Sequence, residues 1–197
     1  MTTAAKTRIV GESVPRKEGV DKLLGRARYL DDLDFEGVWH GATVRSTIPR
    51  GIIRSIHFDP GIDWSEFAVV TAFDIPGKNQ IRLIFDDQPC LADGQVNHCD
   101  EAIVLLAHPN RQKLREAIAA VRIEYDPLPP VLAIEESERQ DVIIWGEDNL
   151  LKSFLLEKGA VDAMWTGAAH IVEGEYRTGA QEHLYIENNG AIAEYSA

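Results

Sequence analysis

The spacing of apolar and polar positions changes along the chain, and the clearest change lies between Glu101 and Val131. Ala102 to Ala107 is an uncharged apolar run, too short for a typical helix and of the right length for a buried strand. It predicts a strand in the middle of a sheet. His108-Pro109-Asn110 ends that strand, and Asn110 is placed to cap a following helix by accepting a hydrogen bond from one of its free N–H groups. Leu114, Ala117, Ile118 and Val121 then recur as one apolar stripe, with Arg111, Gln112, Lys113, Arg115 and Glu116 on the other side. From Val121 the period becomes two. Val121, Ile123 and Tyr125 alternate with Arg122, Glu124 and Asp126 until Pro127, Pro129 and Pro130 end the strand. The helix of this strand, helix, strand unit either crosses over one face of a sheet or joins antiparallel neighbours, and spacing alone leaves both open.

Residues 1–8 read as a polar, frayed start. The Gly-rich, charged stretch that follows buries little besides Leu23, Leu24, Tyr29, Leu30 and Leu33, so it predicts an extended arm with a turn at Gly25. Strands are expected at Val38 to Arg45, Ile52 to Phe58 and Phe67 to Phe73, with Pro49-Arg50-Gly51 linking the first two. A short apolar stretch at Ile81 to Phe85 sits in polar loop composition. After Pro130, the acid-rich segment from Glu135 to Asp148 lacks periodicity and reads as a surface boundary. Gly159 to Ala169 predicts a short helix, and His170 to Arg177 and Ala191 to Tyr195 alternate as strands do. So few elements cannot bury a core of their own, so this tail has to lean on something. The fold class expected is α+β, with a mixed sheet around the strand, helix, strand core.

Composition narrows the function classes. The formal net charge of −12 opposes binding to phosphate backbones and anionic lipid, so nucleic acid is excluded as a partner. The charge is uneven. Residues 1–30 carry seven basic and three acidic side chains, net +4, which leaves −16 for the remainder. A basic leading segment on an acidic body can lie along that body or dock on another subunit. Two cysteines, Cys90 and Cys99, without an apolar leader point to thiols in a reducing compartment, and the cytoplasm is the expected location. No apolar run approaches the roughly 20 residues that span a bilayer, so no membrane insertion is expected.

Two clusters carry candidate chemistry. Asn97-His98-Cys99-Asp100-Glu101 brings metal-ligand types together, but neighbours in an extended chain face opposite ways and the paired spacings of zinc sites are absent. It reads as a polar turn, and no metal site is assigned. Gln181-Glu182-His183 with Tyr185 and Glu187 is the densest group able to hydrogen-bond or shuttle protons. If 183–187 is extended, His183, Tyr185 and Glu187 share a face, and His with Glu makes an acid/base pair. No positioned nucleophile accompanies it, and no catalytic residue is assigned. His40, His57, His108 and His170 stand alone, and Trp39, Trp64, Trp145 and Trp165 are spread as packing residues are.

Five blocks occur in a familiar order: VPRKEGVDKLLGRARYLDDL, GVWHGATVRS, VVTAFDIPG, AIVLLA with IEYDPLPPV, and GAAHIVEGEYRTGAQEHLYIE. They resemble the large subunits of the xanthine dehydrogenase and aldehyde oxidase family of molybdenum hydroxylases, over nearly the whole chain. The resemblance implies an α/β hammerhead domain with its N-terminal arm at 1–148, then a linker and the incomplete start of the molybdopterin-binding region at 149–197. It implies hydroxylation of an aldehyde or N-heterocycle with water as the oxygen source. Electrons would pass to 2Fe-2S centres and FAD on partner subunits. In the family, molybdenum and molybdopterin are held mainly by later segments, including a Gly-Gly-Gly-Phe-Gly-Gly loop and a late glutamate base, none of which is in this sequence. The expectation is therefore an architectural piece that binds no cofactor by itself, with Gln181, Glu182 and His183 as candidates to support the cofactor from behind its direct contacts. Its partners would be other hydroxylase subunits or the remainder of the large subunit. Departures from the family pattern include Cys99-Asp100-Glu101 in place of Gly-Gln-Pro and Asn188 in place of proline after Glu187. The alternative is a stand-alone, non-catalytic assembly or small-ligand module with the same fold. An independent acid/base enzyme built on Glu182 and His183 ranks last.

Overall fold

The computed structural model describes residues 10–82 and 84–195. The expected frayed start at 1–8 lies outside them, as does Leu83 within the Ile81 to Phe85 stretch. The chain divides into two compact units, one of residues 1–36 and 171–197, the other of residues 37–170.

In the first unit the arm is not simply extended. It contains a short helix, α1 (Gly19–Leu23), and a 3-10 turn at Leu30–Asp32, with Gly25 between them at φ +66°. Local contacts explain the helix: Glu18 pairs with Arg16 and with Lys22 one turn on, and Leu24 N–H closes on Val20 O at 3.0 Å. The alternating segments His170 to Arg177 and Ala191 to Tyr195 form no ladder among the described residues. Alternation supplies two faces, but a strand is stabilised only by a neighbour's N–H and C=O groups. Val172 and Tyr176 stay exposed as a result.

The second unit is α+β and is built on two three-stranded sheets in which every pairing is antiparallel, where the sequence reading has one mixed sheet. One sheet has the order β1 (His40–Arg45), β5 (Ala102–His108), β3 (Ala68–Val70); the other has β4 (Gln95–Val96), β2 (Gly51–Phe58), β6 (Val121–Pro127). The uncharged run is therefore a central strand, as expected. The helix α2 (Arg111–Ala119) takes neither of the routes left open: it carries the chain from β5 in one sheet to β6 in the other. Nine residues span about 14 Å, enough to bridge two packed sheets. Leu114 and Ala117 on its inner stripe join Val44, Val96, Ile103, Val104 and Leu106 in the core. Asn110 caps it as expected, its Oδ1 accepting from Gln112 N at 2.8 Å and Lys113 N at 3.1 Å.

Other elements differ in extent. The expected strand from Phe67 to Phe73 shortens to β3 because a 3-10 turn at Ala72–Asp74 takes over, held by Asp74 Oδ2 accepting from Thr71 N at 2.7 Å. The acid-rich segment contains a helix, α3 (Ile134–Arg139), whose first turn is closed by Glu136 accepting from Leu132 and Ala133 N–H groups. The predicted helix near Gly159 is α4 (Val161–Gly167). No helix among the described residues is long and apolar enough to cross a membrane.

Candidate functional site

Gln181, Glu182 and His183 lie in the tail part of the first unit and are exposed. Glu182 Oε1 accepts a hydrogen bond from His183 N at 2.9 Å, so this carboxylate is engaged by the adjacent backbone. Leu184 has φ +44°, a left-handed conformation that bends the expected extended run. His183 and Tyr185 still approach, with ring centroids 6.0 Å apart. Glu187 is turned to another partner: its Oε1 accepts from Leu30 N at 3.2 Å. Asn188, one of the departures from the family pattern, donates from Nδ2 to Asp31 Oδ2 at 2.8 Å.

The Asn97 to Glu101 cluster is a tied-down turn ahead of β5. Glu101 is buried and its Oε2 accepts from Asn97 N at 2.6 Å. Asp100, at φ +63°, donates its N–H to Ser46 O at 2.9 Å, and Ser46 N returns a bond to Glu101 O at 2.8 Å. Arg45 Nη1 adds a bond to Asp100 O at 2.8 Å. His98 Nδ1 lies 2.7 Å from Cys99 O. Among the described residues no three His, Cys, Asp or Glu side chains are grouped so as to hold a metal ion.

Sequence reasoning missed one cluster. Ser55 and His57 project from one face of β2, and the β6 register places Glu124 opposite Ser55. Ser55 Oγ lies 2.8 Å from His57 Nε2 and 3.0 Å from Glu124 Oε2, while His57 Nε2 lies 3.3 Å from the same carboxylate oxygen. These residue types match a hydrolytic triad, but the wiring does not. A triad needs the carboxylate on one ring nitrogen and the hydroxyl on the other, whereas here both meet Nε2. The cluster is an exposed cross-strand network in which hydrogen bonds, first from His57 and then from Ser55, hold the Glu124 carboxyl below the usual carboxylate range. Only the alternation of Ser55 with His57 was visible in the sequence; the partner strand and its register were not.

A groove of about 470 Å³ lies over the sheet of β1, β5 and β3. Its floor is the cross-strand row Thr43, Leu105, Val70, and Cys90, His98 and Asp100 also line it. Leu105 is 38% exposed there, the exception in a strand whose uncharged sequence suits burial on both faces.

The comparisons with known proteins agree with one another. The aldehyde oxidase and xanthine dehydrogenase a/b hammerhead domain matches residues 24–129, and the molybdopterin cofactor-binding domain matches residues 146–197. The nicotinate dehydrogenase large molybdopterin subunit of Eubacterium barkeri is 30% identical over 190 residues, 95% of this chain and 44% of that protein. The xanthine dehydrogenase of Blastobotrys adeninivorans is 31% identical over 198 residues, 98% of this chain and 14% of that protein. Among solved structures, quinoline 2-oxidoreductase from Pseudomonas putida 86 superposes with a TM-score of 0.61 at 27% identity, over 71% of this chain and 19% of that one. CO dehydrogenase from Oligotropha carboxidovorans gives 0.60 at 26% identity, over 66% and 17%. The chain thus spans less than half the length of these relatives.

A phosphate-bearing pterin needs converging N–H donors or cations. The described part of the tail, 171–195, instead presents Glu173, Glu175, Glu182, Glu187 and Glu194 against Arg177, and all of these side chains are exposed. By charge, these carboxylates are not ligands for a phosphate. Sequence blocks, a two-sheet fold bridged by α2, and matches over both parts converge on one assignment: the chain belongs to the aldehyde oxidase and xanthine dehydrogenase family and carries its a/b hammerhead domain.

Proposed function

We propose that this chain is an architectural part of a molybdenum hydroxylase large subunit, comprising the hammerhead domain through residue 148 and the opening of the molybdopterin-binding region from residue 149. The observation that carries this reading is the apolar surface of the second part. Phe154, Leu155, Leu156, Val172, Leu184 and Ile186 are each more than 80% exposed, far more large apolar side chain than a finished domain surface presents in one segment. They suit strands and packing positions completed by further protein of the same large subunit.

In the assembled enzyme, an aldehyde or N-heterocycle would gain an oxygen atom from water and lose two electrons and two protons. The electrons would leave through 2Fe-2S centres toward FAD on partner subunits. Gln181, Glu182 and His183 would support the segments that touch the molybdopterin, and the two-sheet unit would brace them. A reducing, cytoplasmic setting suits the exposed thiols of Cys90 and Cys99.

The test is isolation of the tagged chain from cells making the rest of the proposed enzyme, with molybdenum and hydroxylase activity assayed in the isolate. Recovery of both with a partner, and of neither with the chain alone, is the expected result. A partner-free chain that is a compact monomer with a ligand of its own favours a stand-alone module. Molybdenum and turnover in the chain by itself would overturn the architectural role, and partner-free acid/base activity lost in His183→Ala would replace it.

A further inference from the structure

Within the arm and tail unit, the leading arm meets the segment that follows Gln181–His183 through contacts with no assigned role. The 3-10 turn at Leu30–Asp32 holds its own shape. Asp32 Oδ2 accepts from Tyr29 N at 2.9 Å, and Arg28 Nη2 donates to Asp32 O at 2.8 Å. The Leu30 N–H and the Asp31 carboxylate point outside this internal network, and the tail takes both, through Glu187 Oε1 and Asn188 Nδ2. The Leu30 side chain occupies the space above Gly190. A Cβ at position 190 would lie 2.5 Å from Leu30 Cδ2 and 3.3 Å from its Cδ1 and Cγ. Leu30 is half-buried, whereas Leu23 and Leu24 of the same arm are 88% and 61% exposed.

We propose that Leu30 and Asp31 form a plug that locks onto Glu187, Asn188 and Gly190, making the arm an intrachain docking segment that positions the Gln181–His183 stretch. Three contacts of different chemistry fall on two adjacent arm residues: an amide on a carboxylate, a side-chain amide on a carboxylate, and an alkyl group in a glycine gap. That combination fixes the register. A slip of one residue would set the Asp31 carboxylate over the gap that Leu30 fills. Asn188 supplies the Asp31 carboxylate with a neutral donor at 2.8 Å. The contact is partly open, with a cleft of about 290 Å³ between Tyr29, Leu30, Asp31 and Ile186, Glu187, Asn188. Each polar bond is therefore weak alone, and the lock depends on all three acting together. The part played by Gln181–His183 rests on the proposed function; the lock itself does not.

The experiment is NMR on the isotopically labelled full chain. Glu187→Ala should speed amide exchange at Leu30 about threefold or more. Gly190→Ala should shift the Leu30 methyl resonances and the Asn188 side-chain amide. Leu30→Ala should shift the resonances of Gln181, Glu182 and His183, while Leu23→Ala in the same arm should leave them in place. Unchanged Val104 and Leu106 signals in each variant verify that the two-sheet unit stays folded. Equal Leu30 exchange with and without Glu187, unmoved Leu30 methyls in Gly190→Ala, or a Leu23→Ala effect equal to that of Leu30→Ala would each overturn the lock. None of these measurements needs molybdenum or a partner. A chain that shows the lock yet recruits no molybdenum-bearing partner defeats the functional proposal alone, and the converse defeats the lock alone.

Discussion

His108 shows how one buried side chain sets the turn between β5 and α2. Asn110 N–H donates to His108 Nδ1 at 2.8 Å, and on the far side of the ring Nε2 lies 3.8 Å from Glu66 Oε2. Phe67 packs against the ring, with centroids 4.5 Å apart. Two residues on from His108, the Asn110 side-chain oxygen Oδ1 satisfies two free N–H groups of α2. Asn110→Ala should therefore cost about 1 kcal/mol, read as a lower urea midpoint at unchanged slope. In the core, Leu106 is fully buried, and Leu106→Ala should cost about 2–5 kcal/mol in the same measurement. Acid sensitivity also belongs to single residues. The Glu136 carboxyl is held below the usual range by the N–H groups of Leu132 and Ala133, the Asp126 carboxyl by the Arg54 side chain, and the Glu124 carboxyl by His57. A depressed folded-state value adds stability above the ordinary carboxylate range, and that stability is lost as pH falls through the folded value. The unfolding midpoint should thus drop as pH falls below the ordinary carboxylate range, and the triple variant Glu124→Gln, Asp126→Asn, Glu136→Gln should show a flatter profile.

Gly51 illustrates how an element depends on close approach. At the start of β2, opposite Pro127 in the register with β6, a Cβ would come within 2.9 Å of Asp126 O and 2.5 Å of Ile48 Cδ1. The Asp126 oxygen belongs to backbone and cannot swing aside, so Gly51→Ala should loosen this end of the ladder. The expected cost is about 1–3 kcal/mol, with faster amide exchange in β2 and β6. The sequence announced Gly51 only as part of a turn, because the approach comes from a strand far along the chain. The same division runs through the fold. β5, α2 and β6 were legible because Ala102 to Tyr125 changes period within a single window, and Asn110 carries its own capping signal. The split into two sheets was not, since alternation at Val121, Ile123 and Tyr125 says which residues share a face and not which strand lies alongside. α3 was hidden because its first turn rests on Glu136 reaching back to Leu132 and Ala133 rather than on an apolar stripe. In the tail, alternation at His170 to Arg177 was real but had no partner among the described residues to turn it into a ladder. Of the candidate site, the grouping of Gln181–His183 was legible. The engagement of Glu187 and Asn188 by the arm was not, because it joins residues more than 150 positions apart.

At the scale of the whole molecule, the two-sheet unit has a buried core while the segment from Leu150 to Ile186 leaves much apolar surface in water. Such surface drives association. The chain by itself should show mass rising with concentration in light scattering, and Leu156→Glu with Val172→Glu should suppress that rise without lowering the unfolding midpoint of the core. Preserved association in this double variant would mean that another surface is responsible. The antiparallel ladders carry a last consequence, for biosynthesis. His40 pairs with His108 and Gly51 with Pro127, so the β1–β5 and β2–β6 ladders join residues about seventy positions apart at these ends. As the polypeptide leaves the ribosome, β1 and β2 emerge first and wait for partners still being translated, for on the order of ten seconds at ordinary elongation rates. Until residue 127 clears the exit tunnel, β2 lacks its longer partner, and bare strand edges of this kind are prone to aggregate.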